Sequence, residues 1–313
     1  QCRASNYVSL IKKALEEAGY PHTPVVSLTF GSSLENKQPG LKVNWIKILP
    51  VALRAILYSD CISKFYYAAA AREKEVGQAA RLRDDFLQQA EGLIRDKRSK
   101  DLLDLLSVAA EQFNAICRDM NCPKVGVVGE IFLKFNPFAQ KNVIGWLTEK
   151  GIEVVPSVLT DFFMQNFVNR KVRVESCIQK SAMPDFVYKS AYKIINKQIG
   201  KFNKAGMKFR YFIPFKDIFE EAADARKVIS LNAQFGEGWL LPAEIMSYAR
   251  QGIFNVVSLQ PFGCIANHIV SKGVEKRIKY FFPEMNILSL DFDSGVSDVN
   301  ITNRLLLFVD HLK

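Results

Sequence analysis

Four short β-branched runs, each closed by a glycine, a proline or a polar turn, leave this chain little choice of architecture. They are Lys124-Val125-Gly126-Val127-Val128-Gly129, Gly151-Ile152-Glu153-Val154-Val155-Pro156, Asn255 to Leu259 and Asn286 to Leu290. Runs this short and this apolar read as strands buried on both faces, as in a parallel sheet. Helical patterns follow them over 142–150, 242–251, 265–280 and 300–312. Helix-to-strand links of this length favour right-handed crossovers. Two further strands are expected, at 24–30 and at 227–232. The pattern predicts an α/β chain: a flavodoxin-like or Rossmann-like parallel sheet with helices on both faces.

The first part of the chain has a different rhythm. Residues 5–18 carry a helical apolar stripe ended by Gly19 and Pro21, and 45–120 looks helical almost throughout, a helical insertion or layer. Residues 160–225 are aromatic and basic, with helical stretches. Two regions are expected: 1–122, one strand plus a largely helical part that contributes to the core, and 123–313, a flavodoxin-like domain. A chain of 313 residues that is 49% hydrophobic can bury a sizeable core. No run approaches the roughly 18 apolar residues of a membrane span, and Gln1-Cys2-Arg3-Ala4-Ser5-Asn6 has no signal-peptide layout. The cytoplasm is the expected compartment, with no membrane partner.

The net charge is +10, but Lys and Arg are interleaved with Asp and Glu along many helical segments. The densest stretch, Arg95 to Lys100, reads as a solvated connection between helices. A basic surface could attract nucleic acid, anionic lipid or a phosphate-rich cofactor such as coenzyme A, and charge alone does not choose between them; a nucleic-acid partner is not expected.

Six cysteines without C-x-x-C pairs do not make a secreted disulfide scaffold. Cys61, Cys117, Cys122 and Cys177 are expected as small buried hydrophobes. Cys264 differs: it stands where the run 255–259, broken by Pro261 and Gly263, gives way to a helical pattern. A thiol on a first helical turn lies among unpaired backbone N–H groups, which favour the thiolate, the form that binds metal or attacks an electrophile. Cys2 stands in the same way before the first helix.

Other residues share the predicted carboxyl edge of the sheet. Gly126 and Gly129 punctuate one strand, as ligand-facing or as close-packing positions, and Glu130 could meet a ligand or cap a helix. The loop Gly236-Glu237-Gly238-Trp239 could bring backbone N–H groups to an anion or be a structural turn with Trp239 in the core. Asp291 and Asp293 could bind a divalent cation or cap the next helix. His268, four residues after Cys264, could act as its base, with no third member evident. The dinucleotide, Walker A, zinc-protease and nucleophile-elbow motifs are absent from the sequence.

Several segments taken together carry a resemblance. Cys2-Arg3-Ala4-Ser5-Asn6-Tyr7, Gly126 to Ile131 with Lys134-Phe135-Asn136-Pro137-Phe138, Gly236 to Leu241, Gln260-Pro261-Phe262-Gly263-Cys264 with Asn267-His268, and Asp291 to Asn300 resemble, in order, the dehydratase-like region of large 2-hydroxyacyl-CoA dehydratase activator-related proteins. That region is similar to the 2-hydroxyacyl-CoA dehydratase subunits and the double-cubane cluster proteins. The resemblance implies an iron–sulfur cluster, with Cys2 and Cys264 as ligands and Gly129, Glu130, Gly236, Glu237, Gly238, Gly263 and His268 near the cofactor. It implies that this chain is a fragment, holding the cluster in part or not at all, with further ligands upstream. The implied partners are the N-terminal region of the same protein or an ATP-dependent activator module, with acyl-CoA as a candidate ligand. The alternative reading is a non-enzymatic α/β binding or scaffolding module for a partner subunit or an acyl-CoA.

Overall fold

A computed structural model describes residues 7–25, 44–181 and 184–312. Cys2 lies outside them, as does nearly all of the strand expected at 24–30. The chain divides into two units, Gln1–Leu49 and Pro50–Lys313. In the first, helix α1 (Tyr7–Glu17) buries none of its residues. Helix α2 (Trp45–Ala70) contains Pro50, the first residue of the second unit.

The second unit is a parallel sheet with helices on both faces and a helical layer beside it. The strands are β1 (Lys124–Gly129), β2 (Glu153–Pro156), β3 (Asn255–Pro261) and β4 (Asn286–Phe292), in the order β2-β1-β3-β4, all parallel. The sequence-predicted architecture is therefore correct. Alternation along each strand sends side chains to opposite faces. Val125, Val127, Val257 and Leu259 pack on one side with α6 (Val143–Glu149) and α12 (Asp298–Asp310). Val128, Val256 and Val155 pack on the other with α10 (Leu240–Arg250) and α11 (Glu275–Phe281).

The helical layer is larger than the expected stretch. It joins α2, α3 (Gln78–Arg95) and α4 (Leu102–Ile116) to α7 (Leu159–Glu175), α8 (Asp185–Gly206) and α9 (Ile218–Ala225). Phe65 at its centre meets Phe113, Phe209 and Phe212 at ring-centroid distances of 5.7, 4.9 and 5.6 Å. Each fully buried aromatic or leucine of this kind contributes about 1.5–3 kcal/mol from burial. A buried ion pair ties layer to sheet: Arg72 donates to Glu153 at 2.6 Å and also to the carbonyls of Ala68 and Met120.

Three expectations are corrected. Residues 227–232 are turns, not a strand, because Val228 and Ile229 donate backwards to the carbonyl of Ala225 instead of to a neighbouring strand. The single helix expected at 265–280 is two pieces, a π-helical segment (Ala266–Ser271) and α11, interrupted where Val274 N–H turns back to Ser271. Cys177 is exposed, because it follows the last turn of α7 in the left-handed region with φ 56°. Cys61 and Cys117 are buried as expected, while Cys122 is half-buried with its thiol directed at the Ala71 carbonyl.

Candidate functional site at the carboxyl edge of the sheet

The strand order fixes where a ligand crevice opens. From β1 the chain moves outward to β2, then returns past β1 to build β3 and β4. In open α/β sheets this reversal leaves a crevice beyond the carboxyl ends of the two central strands, here β1 and β3.

Gly129 closes β1 with φ 138°, and a Cβ there would stand 2.0 Å from the Leu259 carbonyl oxygen. The backbones of β1 and β3 touch at this point, and Glu130 N–H donates to the same carbonyl at 3.0 Å. Gly126 lies under the Tyr248 ring, 2.4 Å from a notional Cβ. Both glycines are thus close-packing positions.

Glu130 caps the short helix α5 (Ile131–Phe135) by accepting from Leu133 N–H at 3.1 Å. Its second oxygen is buried without a hydrogen-bond partner. Burial, reinforced by the charge of Glu237, pushes its pKa up to about 7. Glu237 is also buried, and burial raises its pKa against the opposing pull of Lys134. Glu244 on α10 completes the group: burial pushes it up to about 7 against the opposing pull of Lys134. Lys134 lies 3.6 Å from Glu244 and is itself buried. Three carboxyls thus surround one lysine behind the crevice. Full ionisation of all three in so dry a place is costly, so protons are retained there at neutral pH.

Gly236 and Gly238 turn the loop that presents Glu237, both at positive φ, and Trp239 is fully buried with its indole N–H on Asn169 at 2.7 Å. The structural-turn reading therefore holds for Trp239, while Glu237 faces the carboxyl cluster.

Cys264 sits where expected, directly after β3 and the positive-φ Gly263. Its carbonyl accepts from His268 N–H at 2.8 Å, which makes Cys264 the residue that opens the helical turn. The side chain is half-buried. His268 pairs through Nε2 with Asp291 at 2.7 Å, a third member that the sequence did not reveal, and its Nδ1 is buried without a hydrogen-bond partner among the described residues. Asp291 also accepts from Gln260 at 2.5 Å, and Asp293 accepts from Gly295 N–H at 2.8 Å. Their carboxylates are engaged in holding the loop after β4. Among the described residues no group of three or more His, Cys, Asp or Glu could hold a metal ion.

Two contributors were missed in the sequence as site residues. Glu244 is a lone carboxylate in a helix whose other residues from Leu240 to Ala249 are all buried; an acid in so apolar a stretch was the available signal. Asn267 is fully buried with neither amide atom hydrogen-bonded, inside the π-helical segment that follows Cys264. Irregular helical turns of this kind are frequent at functional sites.

Comparison with protein-family models, with curated proteins and with solved structures gave no match. Among the described residues no helix is long and apolar enough to cross a membrane.

Proposed function

We propose that the chain is an iron–sulfur, electron-transferring component related to the 2-hydroxyacyl-CoA dehydratases and served by an ATP-dependent activator. The observation that carries this reading is the position of Cys264, opening a helical turn at the carboxyl edge of β3 beside the β1–β3 crevice. Helix-start N–H groups stabilise a thiolate and can donate to cluster sulfides. The ordered resemblance from Cys2 to Asn300 supports the same assignment.

The described residues alone do not fit a cluster, since Cys264 is the one thiol among them placed at this edge. In this reading the remaining thiolates are Cys2 and residues of an upstream segment or partner. Anaerobic reconstitution of the longest product of the gene, followed by iron and sulfide analysis, tests it. Cys264→Ala should remove most of the bound iron and the visible charge-transfer absorbance. Iron content equal to that of the unaltered protein would exclude Cys264 as a ligand.

A second reading, a binding module for a partner subunit or an acyl-CoA, is favoured by the apolar rim of the same edge. The segments after β1 and β3 expose Phe132, Phe135, Phe138, Phe262, Ile265 and Ile269, with Phe138 93% exposed. So many large apolar side chains together suit a covered surface. Calorimetry with CoA esters and with a dehydratase subunit distinguishes the two ligands; heat from neither would leave this reading without support.

A further inference from the structure

Helix α8 carries a stripe of lysines. Lys189, Lys193, Lys197 and Lys201 follow one another at four-residue intervals, and Lys204 comes three residues later. At 3.6 residues per turn these positions share an arc of about 120° and run about 22 Å along the axis. All five are exposed, while Ile199, Phe202 and Ala205 on the other side of the helix are buried in the core of the helical layer.

No acid answers this stripe. Among the described residues the five ammonium groups make no ion pair and no hydrogen bond, whereas other helical lysines do: Lys171 meets Glu175 at 3.8 Å, Lys227 meets Asp224 at 2.8 Å, and Lys208, just past α8, meets Glu111 at 4.0 Å. Asp185, the one acid within α8, is held by Arg170 at 3.2 Å. Asp217 beside the helix accepts from Tyr192 and Asn196. Like charges three and four residues apart destabilise a helix, and an anionic partner relieves that cost.

The neighbours of the lysines select the kind of anion. Phe186 and Ile194 on or beside the same face and Met207 at its end are 71%, 63% and 65% exposed. Two of the three are aliphatic and gain nothing from base stacking, and the stripe has no arginine to grip a phosphate bidentately, which speaks against nucleic acid. A membrane surface offers both an anionic head-group layer for a row of point charges and hydrocarbon for the apolar side chains. We propose that the exposed face of α8 docks on anionic phospholipid head groups, with Phe186 and Ile194 inserted between them. Such a contact needs no spanning helix, and none is present among the described residues. The expectation of no membrane partner rested on the lack of a spanning run, which a surface contact does not require. The α8 face belongs to the helical layer, so the proposal is independent of iron at the Cys264 edge.

Sedimentation of the full chain with large vesicles of phosphatidylcholine, with and without phosphatidylserine, tests it. The chain should sediment with the phosphatidylserine vesicles alone. That binding should be lost between about 0.1 M and about 1 M salt, where the screening length falls from about 10 Å to about 3 Å. Lys193→Glu with Lys197→Glu should weaken it by about tenfold or more, and Phe186→Ser should weaken it while keeping the salt dependence. The same charge reversal at Lys276 and Lys279, exposed on α11, should change it little. Three results would each overturn the proposal. They are no sedimentation with phosphatidylserine vesicles, an equal loss from the α8 and α11 reversals, and a single-stranded oligonucleotide bound through Lys193 and Lys197 more tightly than the vesicles.

Discussion

At the scale of single residues, Gly129 and the buried carboxyls make the most exposed claims. A side chain at 129 would meet the Leu259 carbonyl at 2.0 Å in a backbone conformation that L residues rarely adopt. Gly129→Ala should therefore cost roughly 3 kcal/mol or more, read from the midpoint of urea unfolding. Glu130 and Glu244 give a pH signature. Their ordinary value is 4.5 and each is raised to about 7 in the folded chain. Between those limits the folded state binds more protons than the unfolded state, so stability is highest at the acid end and falls as pH rises from about 4.5 to about 7. Unfolding in urea at pH 5 and pH 7.5 should show that decline. Glu244→Gln should flatten it, and an unchanged slope would mean that Glu244 is already ionised. The carboxyl at Glu130 was legible as a strand-end residue, but its pairing with Glu237 and Glu244 was not. Residues 130, 237 and 244 meet only through tertiary contact, and no periodicity along the chain records that.

At the scale of elements, Arg72 and Glu153 join the end of the helical layer to the first residue of β2. Each is 2% exposed, so neither charge has water to fall back on. Arg72→Met should cost about 3–5 kcal/mol, because it strands a buried carboxylate, whereas the double change Arg72→Met with Glu153→Met should recover much of the loss. A double-mutant cycle on urea midpoints checks this, and a loss in the double variant equal to the sum of the two single losses would rule out coupling. Strands were the best-read elements: four β-branched runs closed by turn-forming residues became β1 to β4. The fifth, 227–232, looked alike locally, but Val228 and Ile229 find their acceptor one turn back at Ala225. What a short apolar run becomes depends on whether a strand edge is within reach. Helix α10 was also foreseen, yet its complete burial was not, because helical spacing predicts one apolar face and α10 is wrapped on all sides.

At the scale of the whole molecule, pairing is far from local: β1 lies beside β3 across more than a hundred intervening residues, and every strand pair is parallel. Such sheets form late, because loop closure precedes any gain from the contact. In pulse-labelled hydrogen exchange during refolding, amides of α2 to α4 should gain protection before those of β1 and β3, and simultaneous protection would count against this order. The sheet's general plan was legible because it depends on alternation along the sequence. The crevice was only partly so: Cys264 and Gly263 announce themselves by a break in pattern, while the carboxyl group behind them is assembled from the segment after β1, the 236–239 loop and α10, which share no motif.

The long return from β2 to β3 spans residues 157–254 and carries α7 to α10. It delivers Glu237 and Glu244 behind the crevice from within the helical layer, where α7 to α9 share one core with α2 to α4. Its two ends belong to strands that flank β1 on either side. The acidity behind the β1–β3 edge therefore depends on how the helical layer packs, a dependence that the strand presenting Cys264 does not share.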